Sequence, residues 1–153
     1  MVDLNQTAPD FTLPRDGGQD ITLSAQRPQA VVLYFYPKDD TKGCTLEAID
    51  FTASKDEFEQ CNTIVIGVSK DSVESHEKFC NKHNLSVPLV SDVDGAVCEA
   101  YGVWVEKNNY GKKYMGIERT TFLIDGEGKI AKIWNKVRVK DHVADVLAAA
   151  QDL

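Results

Sequence analysis

The chain has no Cys-x-x-Cys pair, no apolar run approaching the length of a membrane helix, and no surplus of positive charge. Each absence removes a class of function. Without a close cysteine pair, a dithiol centre of the thioredoxin kind is excluded. Zinc sites draw their ligands from residues about two to four apart. Here Cys44, Cys61, Cys80 and Cys98 are separated by 17, 19 and 18 positions. The three histidines, His76, His83 and His142, do not complete such a pattern. His76 and Cys80, four apart, are spaced to share a helix face. No metal or prosthetic group is implied. A membrane span needs ~20 consecutive apolar residues, and none is present. The opening MVDLNQTAPDF has neither a basic nor an apolar leader region, so no signal peptide is expected and the cytoplasm is the default location. A formal net charge of −7 and a pI near 4.9 disfavour nucleic acid and anionic membranes as partners. The one basic cluster, KVRVK at 136–140, reads as a solvated strand edge.

What remains is an ordinary globular composition, 42% hydrophobic and 27% charged over 153 residues. That suits a single domain spanning 1–153. DFTLP (10–14) and DITLS (20–24) alternate around a Gly-Gly turn and predict an N-terminal β-hairpin. AVVLYFY (30–36) and TIVIGVS (63–69) are continuous apolar runs, the pattern of buried central strands. Pro37 closes the first of them. Helical spacing follows over 44–60, with Leu46, Ile49, Ala53 and Phe58 as its inward side. A second helix is expected over 72–84, capped by Ser72. VPLVSD predicts a short strand and GAVCEAYGV a short helix ending before Gly102. Residues 104–118 read as a loop or distorted hairpin. Strands over 119–125 and 129–137 surround the turn GEG, and an amphipathic helix closes the chain from 140. Strands alternating with helices make an α/β domain: a mixed central sheet flanked by helices, in the order of a thioredoxin-like fold with an added N-terminal hairpin.

One stretch carries chemistry: YPKDDTKGCTLEAIDF, residues 36–51. Cys44 has three readings, a small buried hydrophobe, a metal ligand or a nucleophile. Its place argues for the last. It follows the C-terminal end of a central strand, the edge where open α/β sheets bind ligands. It also begins a helix, where unpaired N–H groups and the helix dipole favour a thiolate. Gly43 permits a tight turn and is expected to leave the sulfur accessible. Asp39 and Asp40 oppose a thiolate if their side chains approach it, and Lys38 and Lys42 offset them. Arg119, at the start of a rim strand, is read equally as a surface ion pair or as the cation that a thiolate needs.

Pro37-x-x-x-Thr41-x-x-Cys44 resembles the P-x-x-x-T-x-x-C signature of the peroxiredoxins. YFYPKDDTKGCTLEA, with APDFTL, VIGVSKDS, SHEKF, VPLVSD, AYGVW and RTTFLID, is similar to the peroxiredoxin Q group, also called bacterioferritin comigratory protein. The resemblance covers nearly the whole chain. It implies a thiol peroxidase in which Cys44 attacks a hydroperoxide and becomes a sulfenic acid. Thr41 would hold the thiolate and the peroxide through its hydroxyl. Pro37 would shield the pocket, Arg119 would stabilise thiolate and peroxide, and Glu47 would support Arg119. Two departures stand out. Lys42 replaces a proline common in the group, and Ile49 occupies the position where many relatives carry a resolving cysteine. Other relatives place that cysteine in the next helix, which points to Cys80. The expected product is an intrachain Cys44–Cys80 disulfide, reached by local helix unwinding and recycled by thioredoxin or a similar thiol reductant. Cys61 and Cys98 are expected to be packing residues, and the chain a monomer. A disulfide reductase, a peroxide sensor acting on a partner protein, and a one-cysteine peroxidase resolved by an external thiol are the alternatives.

Overall fold

The computed structural model describes residues 2–153. The central strand β3 (Ala30–Phe35) is buried at every position. It pairs in parallel with β4 (Thr63–Ser69) on one side and antiparallel with β8 (Thr120–Ile124) on the other. β5 (Leu89–Ser91) extends the parallel half and β9 (Ile130–Trp134) the antiparallel half. The sheet order is therefore β5-β4-β3-β8-β9. Strand periodicity divides β3 between two cores. Val31, Leu33 and Phe35 enter one apolar cluster, and Val32, Tyr34 and Tyr36 enter the other.

The second cluster is covered by helices α1 (Lys42–Ala53), α2 (Lys55–Gln60), α3 (Val73–His83) and α5 (His142–Gln151). The first is covered by α4 (Ala96–Ala100) and by the N-terminal ribbon of β1 (Thr12–Pro14) and β2 (Asp20–Thr22). Helices on both faces of a mixed sheet, with an N-terminal hairpin, make the thioredoxin-like fold expected above. No helix among the described residues is long and apolar enough to cross a membrane.

Three local expectations are corrected. The helix of 44–60 is broken at Ser54, whose N–H is shared between the Asp50 and Phe51 carbonyls at 3.2 Å each. The break turns α2 down onto β4. The inward side of α1 is Cys44, Glu47, Ala48 and Phe51, while Leu46 and Ile49 are 49% and 40% exposed. Apolar spacing misled here because a carboxylate takes a core position. Residues 104–118 are a regular hairpin, β6 (Trp104–Asn109) with β7 (Lys112–Ile117). Tyr110 and Gly111 take φ of 53° and 81°, and positive φ at both central residues gives a turn whose twist matches the strands. Asn-Tyr-Gly was the available cue, obscured by polar strands.

Candidate active site

β3 ends where Tyr36 N–H reaches Val68 O at 3.0 Å. Pro37 follows, exposed and without an amide to continue the ladder. The chain then turns through Asp39 and Asp40, and Thr41 caps α1 with an extended backbone. The first intrahelical bond is Thr45 N–H to Thr41 O, 2.8 Å. The amides of Lys42, Gly43 and Cys44 precede it, so the helix offers its unpaired donors and positive dipole end around Cys44.

Thr41 does not cap with its side chain. Its hydroxyl donates to Lys38 O at 2.8 Å, so its proton is committed to the loop rather than to the sulfur. Asp39 and Asp40 do not oppose the thiol from close range. Both carboxylates are turned to α3 and its approach, Asp39 onto Ser75 and His76, Asp40 onto Lys82 and His83. Cys44 itself is not accessible, with only 1% of its surface exposed.

Arg119 sits just before β8 and crosses to α1. Its Nη2 donates to Cys44 Sγ at 3.2 Å and its Nη1 to Glu47 Oε1 at 2.7 Å. One guanidinium thus ties the thiol to a carboxylate one helical turn on, across 72 positions of sequence in the latter case. Gly43 makes room for it: a Cβ there would stand 3.1 Å from Arg119 Nη2. Gly43→Ala should stabilise the helix by about 1 kcal/mol through propensity. It should also slow oxidation of the Cys44 thiol about tenfold, because displacing a positioned group by a fraction of an ångström costs rate. Stopped-flow oxidation set beside melting curves checks this, and an unchanged rate would refute the role given to Gly43.

Glu47 is fully buried, and its Oε2 has no hydrogen-bond partner among the described residues. His142 Nε2 lies 4.0 Å from it. His142 is pushed down to about 4, first by burial and further by Arg119, so the ring is neutral at ordinary pH and pairs with the Thr121 hydroxyl at 2.8 Å. For Glu47 two effects oppose. Burial raises its pKa and Arg119 lowers it; burial wins and the carboxyl is pushed up to about 7. A carboxyl raised in the fold stabilises it while protonated. That contribution is complete below about 4.5 and is lost as pH climbs to about 7. Relative to Glu47→Gln, the wild type should lose roughly 3 kcal/mol between about pH 4.5 and about pH 7.5. Denaturant midpoints across that range measure it; a wild-type-to-variant gap that stays constant contradicts it.

No disulfide joins the four cysteines. Cys80 is 8% exposed on α3 and belongs to the same apolar cluster as Cys44. Burial, then Asp16, pushes its thiol up to about 12. α1 packs chiefly on α2 and α5 rather than on α3. The cluster that holds Cys44 and Cys80 also contains Tyr34, which stacks on Phe51 with ring centres 4.6 Å apart. Cys98 is wholly buried and its thiol is strongly raised by burial and Asp92. Cys61 donates to Phe58 O at 3.2 Å.

Sequence reasoning placed Cys44, Glu47 and Arg119 together, and they are together. It missed His142 beside Glu47, and His76 behind the loop. It also missed Lys107, whose chain lies over Gly116 and which burial and the Arg119 charge hold below the usual lysine range. No local pattern marks these residues.

The AhpC/TSA family matches residues 4–133. The putative peroxiredoxin bcp of Coxiella burnetii is 52% identical over 95% of this chain and 97% of its own length. The peroxiredoxin Bcp of Bacillus subtilis is 50% identical over 99% and 97%. Among solved structures, Xanthomonas campestris peroxiredoxin Q superposes with a TM-score of 0.89 at 48% identity, covering 93% of this chain and 90% of that one. With a guanidinium-bound thiol at the start of a helix and relatives at this identity across almost the full length, the chain belongs to the AhpC/TSA family, in its Bcp or peroxiredoxin Q group, and is a thiol peroxidase.

Proposed function

We propose that the chain reduces hydrogen peroxide and organic hydroperoxides through Cys44, forms an intrachain Cys44–Cys80 disulfide, and is recycled by thioredoxin as a cytoplasmic monomer. The observation that carries this reading is the 3.2 Å contact from Arg119 Nη2 to Cys44 Sγ at the opening of α1. The bacterioferritin comigratory protein of Xanthomonas campestris is described with alkyl peroxide reduction activity, which supports organic hydroperoxides as substrates.

The Cys44 thiolate attacks one oxygen of the hydroperoxide and the O–O bond breaks. The electron pair leaves on the distal oxygen, which takes a proton and departs as alcohol or water. Cys44 is oxidised to a sulfenic acid. Arg119 and the free amides of the helix start stabilise the charge on the departing oxygen. Glu47 holds Arg119 in that orientation. Thr41, its proton given to Lys38, is left as an acceptor for the peroxide O–H, and Pro37 narrows the water-facing side of the loop. Lys42, exposed in the first turn, adds positive charge where relatives carry proline. The Cys80 sulfur then attacks Cys44, the S–O bond breaks, and the oxygen leaves as water with the Cys80 proton. A reduced thioredoxin dithiol restores both thiols.

Two points support Cys80. It shares the buried cluster of Cys44, and Xanthomonas peroxiredoxin Q was solved with each of two cysteines, 36 positions apart, replaced by serine. Cys44 and Cys80 have the same separation. The buried thiol of Cys80 means that helix unwinding must precede bond formation. Mass spectrometry after one equivalent of peroxide tests the pairing. A loss of two hydrogens mapped to Cys44–Cys80 is expected, and Cys80→Ser should instead gain one oxygen and lose thioredoxin-driven turnover. Stable oxygen addition in the wild type would refute Cys80 as the resolving residue.

A further inference from the structure

Behind the catalytic loop lies a polar cluster that the peroxidase chemistry above does not use. Asp39 is 8% exposed and His76, on α3, is wholly buried. Asp39 Oδ2 is hydrogen-bonded to His76 Nδ1 at 2.7 Å and accepts from the Ser75 hydroxyl at 2.7 Å; its Oδ1 accepts from the Tyr36 hydroxyl at 2.6 Å. The other ring nitrogen, His76 Nε2, stands 3.0 Å from Val90 O on β5. A carboxylate oxygen and a carbonyl oxygen are both acceptors. Nε2 therefore donates to Val90 O, and one proton bridges Nδ1 and Asp39 Oδ2.

The groups facing this ring come from every element around it. Tyr36 ends β3, with its hydroxyl 3.4 Å from Nδ1. Asp71 precedes α3 and accepts from Asp39 N–H at 2.8 Å and from the Ser69 hydroxyl at 2.7 Å. Cys80 lies one turn further along α3. Asp39, Asp71 and His76 offer atoms within 4.8 Å of one another, near enough to share a cation. Those atoms are already committed: Nδ1 to Asp39, and both carboxylates to protein donors. The cluster is closed on itself. Asp40, at φ 59°, adds an outer tie to Lys82 at 2.7 Å and His83 at 2.9 Å.

We infer that the Asp39–His76 pair is a latch that joins the loop preceding Cys44 to the helix carrying Cys80, so that the two cysteine segments open together. The inference rests on Cys80 being the resolving residue. Asp39 lies five residues before Cys44, and His76 lies four before Cys80. A bond network anchored at both ends holds the peroxide-reactive loop closed while Cys44 is reduced. It also keeps Cys80 on its helix until the latch yields. Asp39 and His76 are thus positioning residues that set the balance between peroxide attack and disulfide formation, and neither touches the substrate.

His76→Asn keeps a polar group near the place of Nδ1 but gives up the ring and the Val90 bond. Deuterium exchange on the reduced protein should then quicken about tenfold in 38–45 and in 73–83 together. In single turnover with hydrogen peroxide, disulfide formation should quicken by a similar factor while oxidation of Cys44 does not. A structural anchor alone would lower the melting temperature without this split. Ser75→Ala, which removes one bond to Asp39, should give the same pattern with smaller amplitude, and it decides the matter if His76→Asn does not fold. Loosening confined to 73–83, or disulfide formation at the wild-type rate, overturns the latch. A wild type that forms no Cys44–Cys80 disulfide overturns the pairing instead, and the exchange measurement on reduced protein then judges the latch by itself.

Discussion

Cys44→Ser should abolish peroxide reduction, lowering the rate constant by at least about a thousandfold, while leaving the fold intact. Serine matches cysteine in shape, so the 1% exposed site is refilled. The hydroxyl does not ionise in the range where a thiol does, and the helix start and Arg119 cannot make it a comparable nucleophile. Arg119 loses the sulfur acceptor at 3.2 Å but keeps Glu47 at 2.7 Å, so the melting temperature should move by a few degrees at most. Peroxide consumption by stopped flow and melting curves report the two effects separately. A residual rate near wild type would assign the chemistry to another thiol, and Cys80 and Cys98, both with raised thiols, are poor substitutes.

Arg119→Ala should carry the second largest effect, and on two quantities at once. The rate of Cys44 oxidation should fall by about 10²–10³, the usual cost of removing a donor aimed at developing charge. Stability should fall as well, because Glu47 is left buried without its cation, a loss on the order of 3 kcal/mol. The two losses separate by pH and by a second substitution. With Arg119 absent, nothing lowers the Glu47 pKa, so the carboxyl stays protonated to higher pH. The stability deficit should therefore be small near pH 5 and grow toward pH 8. Adding Glu47→Gln should restore most of the stability and none of the rate. A double variant that recovers both would mean that Arg119 acts only as the partner of Glu47.

Much of the framework was legible because its strands are uniformly apolar. TIVIGVS became β4 over the same residues, and Ser72 caps α3 by accepting from Ser75 N–H at 3.1 Å. Such segments need no tertiary information. α1 does. Its inward face holds Glu47, a residue that hydropathy sends to the surface, and the apolar Leu46 and Ile49 were assigned inward instead. Asp39 and Asp40 show the same limit. Proximity in sequence suggested repulsion of the thiolate, whereas the turn aims both at α3, which lies more than thirty residues on. The Arg119–Glu47–Cys44 triangle was reached through resemblance to a family, since no periodic pattern links positions 72 apart.

The exposure of Ile49 bears on how this architecture varies. At 40% exposed on the outer side of α1, it contributes little to the core. Exchanging it for cysteine, or a cysteine for it, changes a surface side chain and leaves Phe51 and Ala48 in place. With Cys80 in the resolving role proposed for it, a further thiol at position 49 can therefore be added without disturbing the core.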